Sequence, residues 1–159
     1  MLEKVKEIIE KVEYMNIASI TPEGKPWNSP VYISYDGNLN FYWFSWEANQ
    51  HSKNIKNNPD IFCTIYDSTV PAGTGFGAYF AGKGSELSNP LEIMVGLKTH
   101  YSRTKSKMKA VEMFLTKFPR RVFRFTPEKL WLNGNDMIEG NYIDTRTELN
   151  LEELKKLLK

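Results

Sequence analysis

Cysteine is almost missing from this chain: Cys63 stands alone among 159 residues. A lone thiol closes no internal disulfide, which excludes the disulfide-stapled class of small secreted domains and suits a reducing cytosol. Histidine is nearly as scarce. With only His51 and His100, no histidine–cysteine zinc cluster can be assembled, so no metal site is expected. No stretch approaches the ~20 apolar residues of a membrane span. The opening MLEKVKEIIEKVEYM lacks an apolar run of signal-peptide length. An excess of one charge is missing too. The 21 Lys and Arg face 19 Asp and Glu, for +2 overall, which gives no reason to expect nucleic acid. The expectation is a cytoplasmic protein with neither membrane nor nucleic acid as partner.

What is present is enough to build a core. The chain is 41% hydrophobic and 13% aromatic, too apolar for disorder. Flat side chains at that density suit a core or a planar ligand. The length fits one domain over residues 1–159.

Residues Leu2, Val5, Ile8, Ile9 and Val12 recur at helical spacing. From residue 14 the period becomes two, and strands are expected over 15–20, 27–35 and 39–45. Turn chemistry at 21–26 and the Asp36-Gly37 pair make these an antiparallel meander, which argues against a βαβ fold. A short polar helix over 47–58 ends at Pro59. Strands 61–66 and 76–85 follow, with Cys63 read as packing. Helical spacing returns over 90–118, with 102–106 as its interruption. A sixth strand covers 120–125 and extends through 130–132. Asn150 with Glu153 three residues later starts a tail helix. The sum is a mainly β fold, a small six-stranded antiparallel barrel with flanking helices.

Several familiar motifs fail. GAYFAGKG at 77–84 nearly matches the phosphate loop GxxxxGK(S/T), but its apolar interior reads as strand and Gly84 stands where a hydroxyl is needed. Neither a GxSxG elbow nor an HExxH pair is present.

The informative stretch runs from 26 to 66: PWNSPVY, then DGNLNFYWFS, then HSKNIKNNPDIFCTIY. Its order and spacing resemble the pyridoxamine 5′-phosphate oxidase-like family, the FMN-binding split β-barrels, over roughly residues 10–135. The resemblance implies a homodimer with FMN at the subunit interface. The flavin ring would lie along Asn28, Ser29, Pro30, Val31 and Tyr32. The phosphate would sit where the third strand ends, at Phe44 and Ser45, and where the next helix begins, at His51, Ser52 and Lys53. A helix N-terminus with unpaired amides suits such a group.

The chain departs from the family pattern at the cation. Counting back from Asn54-Ile55 and Pro59, His51 occupies the position usually held by a phosphate-binding lysine. Two residues on a helix differ by ~200°, so His51 and Lys53 do not easily share a ligand. Ile55 one turn on puts His51 inward and favours it over Lys53. Trp131 resembles the family's late tryptophan beside the flavin, and flavin contact and core packing both remain open for it. Arg146 reads as surface, and the loop 67–71 as a turn that could border a substrate cleft.

The leading expectation is an FMN-binding oxidoreductase passing electrons between flavin and an unidentified small molecule. No side chain stands out as an obligatory acid, base or nucleophile. The alternatives are a split barrel for another cofactor, deazaflavin or haem, with His51 or His100 as the only histidine ligands of iron, or a non-catalytic flavin-binding or sensing module.

Overall fold

The computed structural model describes residues 1–115 and 118–159. The first helix, α1 (Leu2–Lys11), turns Val5, Ile8 and Ile9 into the core. Its last carbonyls lack partners within the helix, and Arg103 supplies them. The Arg103 Nη2 donates to the carbonyls of Ile9, Glu10 and Val12 at 3.1, 3.4 and 3.0 Å. A cation at a helix C-terminus also opposes the helix dipole. Arg103→Met keeps the stem and removes these bonds, with an expected loss of about 1–2 kcal/mol. A urea midpoint that drops at constant m-value would show it, and an unchanged midpoint would refute it.

Strand β1 (Tyr14–Ile20) alternates as read, with Met15, Ile17 and Ser19 inward. It pairs with β2 (Pro26–Tyr32), from Tyr14 opposite Tyr32 to Ile20 opposite Pro26. The expected strand over 27–35 and its continuous meander need correction. The strand breaks at Ile33, whose amide donates to the Glu13 carbonyl at 2.9 Å. Ile33 and Ser34 are both buried, so the inside–outside alternation slips there. Beyond the break, β3 (Ser34–Tyr35) pairs with β4 (Phe41–Trp46) instead.

The remaining elements are α2 (Gln50–Asn57), β5 (Asp60–Tyr66), β6 (Gly77–Glu86), α3 (Pro90–Thr104), a 3-10 turn (Val111–Phe114), β7 (Arg120–Ile138), β8 (Asn141–Leu149) and α4 (Leu151–Leu157). One antiparallel sheet runs β2-β1-β5-β6-β7-β4-β3, with β8 added on β7. Its curl makes the mainly β half-barrel of the split-barrel class. Because the chain crosses between β2 and β3, these neighbours in sequence lie at opposite ends of the sheet.

Two further expectations change. The helix expected over 90–118 stops at Thr104, with Lys105 left-handed at φ 51°, so the interruption is an end; residues 116 and 117 lie outside the described residues. Eight strands replace six among the described residues. Among the described residues the unforeseen β8 pairs only with β7, and it alternates through Asp144, Arg146 and Glu148, so no apolar stripe marks it. The near-match GAYFAGKG lies in β6 as read, and Cys63 is buried.

Aromatic packing holds the interior. Phe41, Trp43, Phe80, Phe123 and Phe125 are all fully buried, and Trp43 stacks on Phe123 at 5.5 Å. A second cluster of Tyr42, Ile93, Leu97, Phe114 and Val122 seats α3 on the outside of β4 and β7. No described helix is long and apolar enough to cross a membrane.

Candidate functional site

Helix α2 buries His51, Ser52, Asn54 and Ile55 and leaves Lys53 and Lys56 exposed. Asn54 pins this orientation. Its Nδ2 donates to Ser19 Oγ of β1 at 3.0 Å, and its Oδ1 accepts from Gln50 at 2.8 Å. The helix therefore delivers His51 to the gap between the edge of β2 and the end of β4.

There the ring is held at both nitrogens. His51 Nε2 lies 2.7 Å from Ser45 Oγ, and Nδ1 lies 3.2 Å from Ser29 Oγ. Trp27 Nε1 donates to the same Ser29 oxygen at 3.2 Å. Both ring partners are hydroxyls, which donate or accept equally well, so either neutral tautomer is satisfied. Burial lowers the His51 pKa below the ordinary histidine value.

Ser45 and His51 form one wall of a cleft of about 420 Å³ that also takes in Pro30, Val31, Tyr32, Phe44 and Asn49, and Ser29 is tied to that wall through the His51 ring. The opposite wall is His100 and Thr104 of α3 with Arg120 at the start of β7. His100 packs on Phe44 with ring centres 4.1 Å apart and meets Tyr32 edge-on at 5.5 Å. Its buried Nδ1 has no hydrogen-bond partner among the described residues. Burial first, and then the Arg120 charge, lower its pKa. The Asn49 side chain makes no capping bond to α2, which leaves first-turn amides for a ligand. On the other side, among the described residues β2 pairs only with β1, so alternate backbone groups along its other edge have no strand partner there.

Six of the residues singled out in the sequence line the cleft, namely Pro30, Val31, Tyr32, Phe44, Ser45 and His51, and Ser29 joins them through its bond to His51. The other four do neither. Asn28 is exposed further along β2, opposite Ala18. The fully buried Ser52 spends its hydroxyl on the Trp46 carbonyl at 2.7 Å. Lys53 is on the solvent side of α2. Trp131 stacks on Phe62 at 6.0 Å and lines a separate apolar groove of about 590 Å³ with Ala18 and Ala81.

The loop 67–71 borders another cavity, of about 760 Å³, beside Tyr66 and Phe76. Asp67 is tied there to Lys11 at 2.8 Å. The exposed Arg146 covers the Tyr79 ring at 4.2 Å. Sequence reasoning missed Asn49, Thr104 and Arg120. Arg120 reaches the cleft because it pairs with Trp46 across β4 and β7, a long-range register that leaves no local signal.

A model of the pyridoxamine 5′-phosphate oxidase family matches residues 1–134. The chain belongs to that family. No curated protein matches it. Among solved structures, a haem-binding protein of Mycobacterium smegmatis is similar at TM-score 0.71 and 15% identity, over 98% of this chain and 60% of that one. This family member therefore spans about three-fifths of that protein's length. A haem storage protein of Vibrio cholerae is similar at TM-score 0.67 and 15% identity, over 80% and 91% of the two chains. An F420 reductase is similar at TM-score 0.57 and 19% identity, over 79% and 94%. At these identities the likeness of the family member to them is one of fold.

Proposed function

We propose that this protein is an FMN-binding oxidoreductase that works as a homodimer on a small molecule. The observation that carries the reading is the Ser29–His51–Ser45 chain at the N-terminus of α2, facing Arg120 across the cleft. Two hydroxyls, a titratable ring, a permanent cation and uncapped amides form the donor set that a phosphomonoester takes. Among the described residues, those lining the cleft include no carboxylate to repel such an anion.

In this reading Ser29, Ser45, His51 and Arg120 hold the phosphate. The free edge of β2 over 28–32 offers backbone groups to the ring, and Tyr32 and Phe44 exclude water beside it. Bound flavin would supply the electron-transfer chemistry, and the protein binds, orients and shields it. The groove at Phe62, Ala81 and Trp131 supports a second copy as partner, since half-buried aromatic rings on an open sheet face are typical of an interface. Trp131 would then serve the assembly rather than this chain's own cleft.

Haem is the second reading. It is favoured by His100, whose Nδ1 has no partner among the described residues, and by the two haem proteins of like fold. The geometry supports it less well at His51, where both ring nitrogens are already engaged. The absorbance spectrum of the purified protein separates the readings. Bands near about 370 and 450 nm, released by heat as FMN, are expected of flavin, and a Soret band of haem. A colourless protein that takes up no added FMN would overturn the proposal.

A further inference from the structure

His51 is 8% exposed, and both of its ring nitrogens end on hydroxyl oxygens. A neutral ring carries one N–H, so it donates to one serine and must accept from the other. That second serine spends its hydrogen on the ring. A protonated ring donates at both nitrogens, and both serines then only accept from it. Both hydroxyl hydrogens become free to turn away from the ring, with no heavy atom displaced, and Ser45 lines the cleft. One proton therefore adds a positive charge and also a second hydroxyl donor at the same spot.

Every element around the ring bears on that proton. Strand β2 contributes Ser29 and Tyr32, β4 contributes Ser45, and the start of α2 contributes Asn49. From α3 come His100 and Thr104, and from β7 comes Arg120. Arg120 brings a guanidinium, burial disfavours charge on His100, and the lining residues among those described include no carboxylate. A His51 proton thus has no anionic partner in the cleft until a ligand brings one.

We propose that His51 links phosphate binding to proton uptake, so that the cleft takes a phosphomonoester dianion together with one proton and releases both together. This rests on the FMN reading above. The sign follows from the two states of the ring. Burial depresses the His51 pKa in the free protein, and a bound dianion raises it. Between those two values affinity rises as pH falls, by at most about tenfold per pH unit for one proton. Below about pH 6 the phosphate takes up its own proton, which opposes the trend.

The test is fluorescence titration of the apoprotein with FMN between about pH 6.5 and 8.5, with riboflavin as the phosphate-free probe. Calorimetry in two buffers of different ionisation enthalpy counts the protons. The expected result is FMN affinity rising severalfold per unit as pH falls, with net proton uptake and a flat riboflavin profile. H51Q should bind FMN weakly without the slope, and H51K tightly without it. FMN affinity that is flat in the native protein and unchanged in H51Q overturns the linkage but leaves the FMN reading standing. A folded protein that binds FMN at no pH overturns that reading, and the linkage with it.

Discussion

His51→Ala is expected to weaken FMN binding by about 10- to 100-fold at neutral pH. A hydrogen bond to a charged group contributes about 1.5–3 kcal/mol, and each ~1.4 kcal/mol is a factor of ten in affinity. The substitution removes the ring that joins Ser29 to Ser45 and leaves Arg120 as the cation of the cleft. The fold should tolerate the change, because the ring borders the cleft and sits outside the two apolar clusters. Flavin fluorescence quenching gives the affinity, and circular dichroism checks the fold. Affinity within about threefold of the native value, in a folded variant, would remove His51 from the site.

The largest stability effect is expected at Gly82. A methyl group there would overlap the Thr126 carbonyl oxygen and come within 2.8 Å of Pro127 Cα and 3.0 Å of Glu128 N. All three are backbone atoms of β7, at the point where the β6–β7 register shifts between Ala81 and Gly82. Backbone cannot turn aside as a side-chain tip can, so relief requires the two strands to part. Gly82→Ala should cost about 3 kcal/mol, or a fall in melting temperature of roughly 10 °C for a chain of this size. Gly84→Ala is the control. Its added methyl meets the side-chain tip of Ile61 at 2.9 Å, which can shift, so a smaller loss is expected. Equal losses from the two would refute the argument.

Those two glycines show how far a sequence can be read. GAYFAGKG looks like a phosphate loop that fails, and its apolar interior marks it as strand. Why it needs glycine at 82 and 84 depends on what β7 and β5 place opposite them. The same division runs through the fold. Helix α1, strand β1, the Asp36-Gly37 hairpin and the Asn150 cap were legible because each rests on a local period or a local hydrogen bond. The split at Ile33 was not, because residues 27–35 alternate well enough to pass for one strand. Strand β8 was invisible because it is an edge with polar alternation, recruited by pairing with β7.

The candidate site divides along the same line. That His51 faces inward and Lys53 outward follows from helix geometry and the position of Ile55, and could be argued from the residues. That His51 lies between Ser29 and Ser45, 22 residues away on one side and 6 on the other, required the curl that brings the edge of β2 beside β4. Arg120, Thr104 and His100 came with the same closure. The sequence by itself determined the types of most elements and the inward face of α2, because these rest on neighbours within a few residues along the chain, and the family, because the order and spacing of its segments are written in the sequence. The tertiary structure alone decided which hydroxyls hold the histidine, which cation faces it and where Trp131 stands, because these depend on pairings between segments distant in sequence.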